Sequence, residues 1–159
     1  MNKKVIIVLA IIVLILIAGG IYFLISQPAQ QPSQNQNQQT SASYDIQGMK
    51  VEILKEGTGE EAKAGDNIVV NYVGTLLDGT KFDSSVDPSF NHVEPFPYTL
   101  GQNQVIQGWE LGILGMKVGE KRKLTIPPEL AYGAAGRPPV IPQNATLIFE
   151  IDMLAINSK

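Results

Sequence analysis

The sequence contains no cysteine, a single histidine (His92) and a single tryptophan (Trp109). Without thiols there is no disulfide, no thiolate nucleophile and no cysteine-borne lipid at the N-terminus. One histidine and no cysteine leave no credible zinc site, and Ser84 and Ser85, close to His92 in sequence, resemble no nucleophile elbow. No glycine-rich loop of the kind that cradles phosphate follows a strand. Nothing in the chain asks for a cofactor or a metal. His92, beside Glu94, reads as a residue of an exposed loop. An excess of positive charge is also missing. The formal net charge is −3, and all 15 acidic residues follow Ser43, where two of the 12 basic residues, Lys3 and Lys4, do not belong. Nucleic acid is therefore excluded as a partner, because the one basic run, Lys121-Arg122-Lys123, is too short for a binding stripe and reads as solvated strand surface.

Charge is absent altogether between Lys4 and Asp45. The first part of that stretch, Val5 to Ile25, is 21 apolar or small residues. As a helix it would span roughly 30 Å, the thickness of a bilayer's hydrocarbon core. Ala18-Gly19-Gly20 offers small residues for a signal-peptide cleavage, which would release the rest of the chain. The apolar run continues through Ile21 to Ile25, longer than a usual signal core, and so favours an uncleaved anchor. Lys3 and Lys4 precede it, which keeps the N-terminus cytoplasmic and sends everything after Ile25 outside. Residues 1–25 are thus read as a membrane anchor or signal segment. Residues 26–43, rich in Gln, Ser, Asn and Pro, form a flexible tether with a reach of about 25 Å. Residues 44–159 are left as a single folded domain.

Within that domain most segments alternate. Val51 and Ile53 alternate with Lys50 and Glu52; Ile68, Val70 and Tyr72 share one strand face, with Val69, Asn71 and Val73 on the other. Leu77-Asp78-Gly79-Thr80 is a hairpin signal. Further alternation runs through Phe96, Tyr98 and Leu100, through Leu124 and Ile126, and through Leu147, Phe149, Ile151 and Met153. Only Gly108 to about Leu114 has helical spacing, and it is a poor helix, since each interior glycine costs roughly 1 kcal/mol relative to alanine. The expected fold is α+β, a mostly antiparallel sheet covered by one short helix whose glycines allow close approach. Two long loops, Asp83 to Pro95 and the Gly/Pro-rich Ala131 to Asn144, are candidates for shaping a site. Asn144-Ala145-Thr146 matches a glycosylation sequon and equally a turn into the last strand.

What the sequence has in quantity is aromatic residues without catalytic neighbours: Tyr72, Phe82, Phe96, Tyr98, Trp109, Tyr132 and Phe149. Periodicity alone puts most of them in the core. The alternative is an apolar pocket with Tyr hydroxyls and Asp83 at its rim, and periodicity does not separate the two.

Three separated motifs resemble one family. V-N-Y-V-G-T-L-L-D-G-T-K-F-D-S-S (Val70 to Ser85), V-I-Q-G-W-E-L-G-I-L-G-M-K-V-G-E-K-R-K-L-T-I-P (Val105 to Pro127) and A-Y-G (Ala131 to Gly133) followed by I-P-Q-N-A-T-L-I-F-E-I (Ile141 to Ile151) are similar to the FKBP family, the macrolide-binding peptidyl-prolyl cis-trans isomerases. The resemblance covers nearly all of Met49 to Ile156. It implies a curved antiparallel half-barrel wrapped around one short α-helix, with a proline-sized pocket between them. By the resemblance, Trp109 is the pocket floor; Tyr72, Phe82, Phe96 and Phe149 are walls; Val105 and Ile106 line one side. Asp83 sits at the polar rim and Ile141 comes from the overhanging loop. The Ile106 N–H and the Tyr132 hydroxyl would hold ligand carbonyls. Tyr72, Phe82, Asp83, Trp109, Tyr132 and Phe149 are the expected catalytic set, with Phe96, Val105, Ile106 and Ile141 binding substrate.

The implied activity is cofactor-free rotation about X-Pro bonds in proline-containing clients folding outside the cytoplasm, by a monomer that also takes macrolide inhibitors. The alternative is a proline-peptide-binding module or chaperone with little turnover. Departures from the commonest family pattern are Gln104 for a frequent acidic residue, Arg137 for a frequent histidine, the stiff Pro138-Pro139, and an 85–95 segment that is longer and lacks a basic residue often found there.

Overall fold

A computed structural model describes residues 42–157. The apolar run Val5 to Ile25 lies outside the described residues, as does the tether up to residue 41. Among the described residues no helix is long and apolar enough to cross a membrane.

The long strands form where apolar side chains alternate with polar ones. In β3 (Asn67–Leu76) Ile68, Val70, Tyr72 and Gly74 are buried while the residues between them are not, and in β7 (Leu147–Asn157) Leu147, Phe149, Ile151 and Met153 are buried in the same way. These two strands pair antiparallel over ten positions and form the spine of the sheet. With β1 (Ser43–Ile46), β2 (Met49–Lys55), β4 (Lys81–Ser84), β5 (Phe96–Thr99) and β6 (Lys121–Ile126) they complete one antiparallel sheet in the order β1-β2-β6-β7-β3-β4, with β5 also paired to β3. The β3–β4 turn is the expected one: Leu76 N–H donates to the Thr80 carbonyl at 2.9 Å, and Gly79 takes φ +85°, a left-handed conformation that glycine adopts without strain. Strand β1 was not foreseen. Its turn, Gln47-Gly48, has positive φ at both residues, the signature of a two-residue hairpin.

The helix α1 (Gln107–Ile113) has the expected position to within a residue. It lies on the buried face of the sheet, and glycines permit the approach. A β-carbon on Gly112 would come within 2.6 Å of Leu124, and one on Gly108 would collide with Ile126. Both neighbours are buried β6 residues, so the backbone of α1 rests directly on their side chains.

One expectation is corrected here. Arg122 is not solvated surface. It is 4% exposed, in phase with Leu124 and Ile126, and points beneath the C-terminal end of α1. There it ion-pairs through Nε with the buried Glu120, and its guanidinium donates to the carbonyls of Gly112 (2.8 Å), Leu114 (3.2 Å) and Gly115 (3.1 Å). A cation against these unsatisfied carbonyls and the negative end of the helix dipole is a favourable placement. The flanking Lys121 and Lys123 do face outward, toward Glu150, Asp152 and Glu52.

Candidate active site

Trp109 sits in the first turn of α1, and the sheet brings aromatic rings onto it from three strands. Tyr72 of β3 meets the indole at 5.2 Å and 77°, Phe149 of β7 at 5.1 Å and 85°, and Phe96 of β5 at 6.1 Å and 79°. These are edge-to-face contacts, the arrangement ring quadrupoles favour. Phe82 on β4 extends the wall by packing edge-on against Phe149 at 5.4 Å. Gly74 makes room for this corner, since a β-carbon there would lie 2.7 Å from Phe82 and 2.9 Å from Phe149.

The rings surround a cavity of about 490 Å³. All ten residues singled out in the sequence line it: Tyr72, Phe82, Asp83, Phe96, Val105, Ile106, Trp109, Tyr132, Ile141 and Phe149. Gln104, Arg137, Pro138 and Val140 line it as well. Tyr98 does not; it is buried beneath Phe96 and Trp109. The aromatic residues therefore divide between core and pocket, and Trp109, 4% exposed, serves as both.

The polar groups of the site fall into two kinds. Asp83 is fully engaged: one carboxylate oxygen accepts from the Tyr72 hydroxyl at 2.9 Å, the other from its neighbour's Ser84 N–H at 2.9 Å and from His92 Nε2 at 2.7 Å. Burial, the hydrogen bond to Asp83 and the negative charge there push the Tyr72 phenol well above the ordinary tyrosine range. His92 is the exposed loop residue expected, and it is also tied to the site through Asp83. It also stands 3.5 Å from the Tyr72 hydroxyl. A histidine in an irregular loop has no periodicity to mark it, and the sequence held no signal for this contact.

The other kind of polar group has no partner among the described residues. Ile106 stands at the N-cap of α1 in extended conformation, its carbonyl accepting from Trp109 N–H at 2.9 Å. Its own N–H meets no acceptor among the described residues. The Tyr132 hydroxyl, on the loop after a 3-10 turn at Pro128–Leu130, is likewise unbonded, with the Arg137 guanidinium over its ring at 5.8 Å. The Trp109 indole N–H is buried without a partner. An apolar, aromatic-floored cavity with free donors at its lip is built to accept carbonyl oxygens on an otherwise apolar group. Among the described residues no cluster of His, Cys, Asp or Glu suits a metal ion.

A curved antiparallel sheet closing such a cavity against one short helix defines a class of peptide-binding half-barrel. Residues 58–154 match the family model described as FKBP-type peptidyl-prolyl cis-trans isomerase, and the chain belongs to that family. It is 50% identical over 112 residues to the FK506-binding protein 1A of Neurospora crassa, covering 70% of this chain and 90% of that one. To the FK506-binding protein of Neisseria meningitidis serogroup B it is 53% identical over 109 residues, or 69% of this chain and 96% of the other. Among solved structures, FkpA from Escherichia coli matches with a TM-score of 0.62 at 44% identity over 70% of this chain, which spans 49% of the FkpA chain. The protein is therefore an enzyme, an FKBP-type peptidyl-prolyl cis-trans isomerase.

Proposed function

We infer that the aromatic cavity is the prolyl site and that it works by binding the twisted amide better than the planar one. Rotation about an X-Pro bond meets a barrier of about 18–20 kcal/mol because resonance holds the amide flat. The planar form is the more charge-separated, so an apolar cavity that strips water from the amide favours the twisted form. No bond breaks, and no nucleophile is needed. Trp109 serves as floor, and Tyr72, Phe82, Phe96 and Phe149 as walls. The Ile106 N–H and Tyr132 hydroxyl orient the peptide through its carbonyls, Val105 and Ile141 flank the proline ring, and Asp83 fixes the Tyr72 hydroxyl at the rim.

The observation that carries this reading is the coincidence of an aromatic surround with two donors at its mouth that have no partner among the described residues. The clients are proline-containing polypeptides folding outside the cytoplasm, reached by a monomer held at the membrane through residues 5–25 and a tether. The names of the relatives carry FK506, and the same cavity is the place where a macrolide would bind here, its fit altered by Gln104 and Arg137 at the lip.

The test is isomerisation of short Xaa-Pro peptides by the full chain near 10 °C, where the uncatalysed step takes minutes. Acceleration that falls in Tyr132→Phe supports the scheme. Unchanged activity in that variant removes Tyr132 from it, and no acceleration by the folded chain turns the reading to a binding module. For the location, cleavage of the domain by protease added to intact cells, with the chain in the membrane fraction, is the expected result.

A further inference from the structure

Two side chains at the cavity carry formal charge, Asp83 and Arg137, and they are in opposite states. The Asp83 carboxylate is committed to Tyr72, Ser84 and His92. The Arg137 guanidinium has no carboxylate and no hydrogen-bond acceptor among the described residues; its contact is the face of Tyr132. Its backbone, by contrast, is pinned. Arg137 N–H donates to the Ile141 carbonyl at 2.8 Å, and the Arg137 carbonyl accepts from Ile141 N–H at 3.0 Å and from Val140 N–H at 3.2 Å. On one side stands Gly136 at φ +62°, where any side chain would strike the Pro142 carbonyl; on the other stand Pro138 and Pro139. The loop thus fixes the backbone that carries this cation at the lip, next to one of the two free donors. Lys55, Lys63 and Lys117 likewise make no ion pair among the described residues, but of the described lysines and arginines only Arg137 lines the cavity.

We propose that Arg137 is a specificity-determining residue that selects clients with a carboxylate side chain immediately before or after the proline. This rests on the reading of the cavity as the prolyl site. A guanidinium offers a planar fork of donors that matches a carboxylate, and stacking on Tyr132 orients that fork before the client arrives. Because Arg137 is exposed, the interaction is of the moderate, salt-screened kind. It acts equally on planar and twisted amide, since the charge lies outside the rotating bond. Its signature is therefore a lower KM at constant kcat.

The experiment measures kcat and KM of the full chain on two peptide series, with Glu, Gln, Leu or Lys placed before the proline in one and after it in the other. Each is run at low and at high salt, where the screening length falls from about 30 Å to about 3 Å. The expected result in one series is Glu over Gln by about three-fold or more in kcat/KM at low salt. That ratio collapses at high salt, falls to one in Arg137→Gln and inverts in favour of Lys in Arg137→Glu. Equal values for Glu and Gln in both series at low salt overturn the proposal, as does a Glu preference that survives Arg137→Gln. If no peptide is turned over, including those with Leu, the isomerase reading of the cavity fails instead. Quenching of Trp109 fluorescence by the Glu and Gln peptides then decides the charge selection by the same ratio.

Discussion

The two ends of helix α1 solve opposite problems. At the C-terminal end, Arg122 and Glu120 are buried and partnered: the ion pair itself, one helix carbonyl and two just beyond the helix for the guanidinium, and the Lys117 N–H for the second Glu120 oxygen at 2.9 Å. At the N-terminal end the surroundings are aromatic, and polar groups are left over. The Trp109 indole N–H and Tyr98 hydroxyl are buried and unbonded, and the Ile106 N–H is free. Each buried orphan costs about 1–3 kcal/mol. A seven-residue helix carrying two interior glycines is not stable alone. The contrast teaches a division of labour: charge fixes one end of the helix, while the other packs among aromatic rings and brings Trp109 to the cavity.

The sharpest way to break this comparison is to remove one half of the pair. Arg122→Ala leaves Glu120 buried without its cation, a loss of about 3–5 kcal/mol in unfolding free energy. Urea unfolding followed by Trp109 fluorescence reads it directly. The double variant Glu120→Gln, Arg122→Met, which removes both charges, is expected to recover most of that loss. If the single variant is neutral, the ion pair is not what holds the helix.

Next in size is the shape-fitted interface. Gly112→Ala places a methyl group 2.6 Å from the Leu124 side chain. Overpacking of this kind costs about 1–3 kcal/mol, partly offset by about 1 kcal/mol of helix propensity. Combining it with Leu124→Ala should cost less than the sum of the two changes, and strict additivity in the unfolding midpoints would show that the two positions do not share a contact.

How much of this was legible beforehand follows from the same physics. Strands β3 and β7 have one buried face and one wet face, so their alternation assigned Ile68, Val70, Tyr72, Phe149 and Ile151 correctly. Arg122 was misassigned although the signal existed: it stands two residues before Leu124 and four before Ile126, the parity of the inner face. Its charge, between two lysines, outweighed the phase. The same alternation could not tell pocket from core, because Tyr72 and Tyr98 are both inward aromatics; only the positions of neighbouring strands leave a cavity beside one and none beside the other. The aromatic residues and Asp83 stood out in the sequence as a possible pocket, while Val105, Ile106 and Ile141, and the choice of pocket over core, came from the family resemblance. His92 came from neither, because a loop contact has no period.

At the pocket end the effects should appear in rate before stability. Phe149→Leu keeps the side chain apolar but removes its edge-on contacts to Trp109 and Phe82. An aromatic pair is worth about 0.5–1.5 kcal/mol beyond its buried area. If that packing shapes the site for the twisted amide, kcat/KM falls up to about tenfold, since about 1.4 kcal/mol corresponds to one decade. A variant that folds and retains full activity would make Phe149 a core residue only.

The smallest expected effect distinguishes the two ends by pH. Burial is the chief cause that raises the Tyr98 phenol above the ordinary range, with the nearby Glu110 charge adding to it; at Tyr72 burial again leads, followed by Asp83. In the unfolded chain both phenols ionise near pH 10. Below that pH both states hold the proton and stability does not depend on it. Above it the unfolded state releases protons that the native state keeps, so stability falls as pH rises. The urea midpoint should decline from about pH 10 upward. In a Tyr72→Phe, Tyr98→Phe double variant that decline should shrink, because the two phenols that resist ionisation are gone. A decline of the same steepness in wild type and double variant would assign alkaline instability elsewhere, with Lys121, at the Arg122 end, as the next candidate. Burial lowers the Lys121 pKa, but Asp152 and Glu150 outweigh it and hold the ammonium charged beyond its usual range.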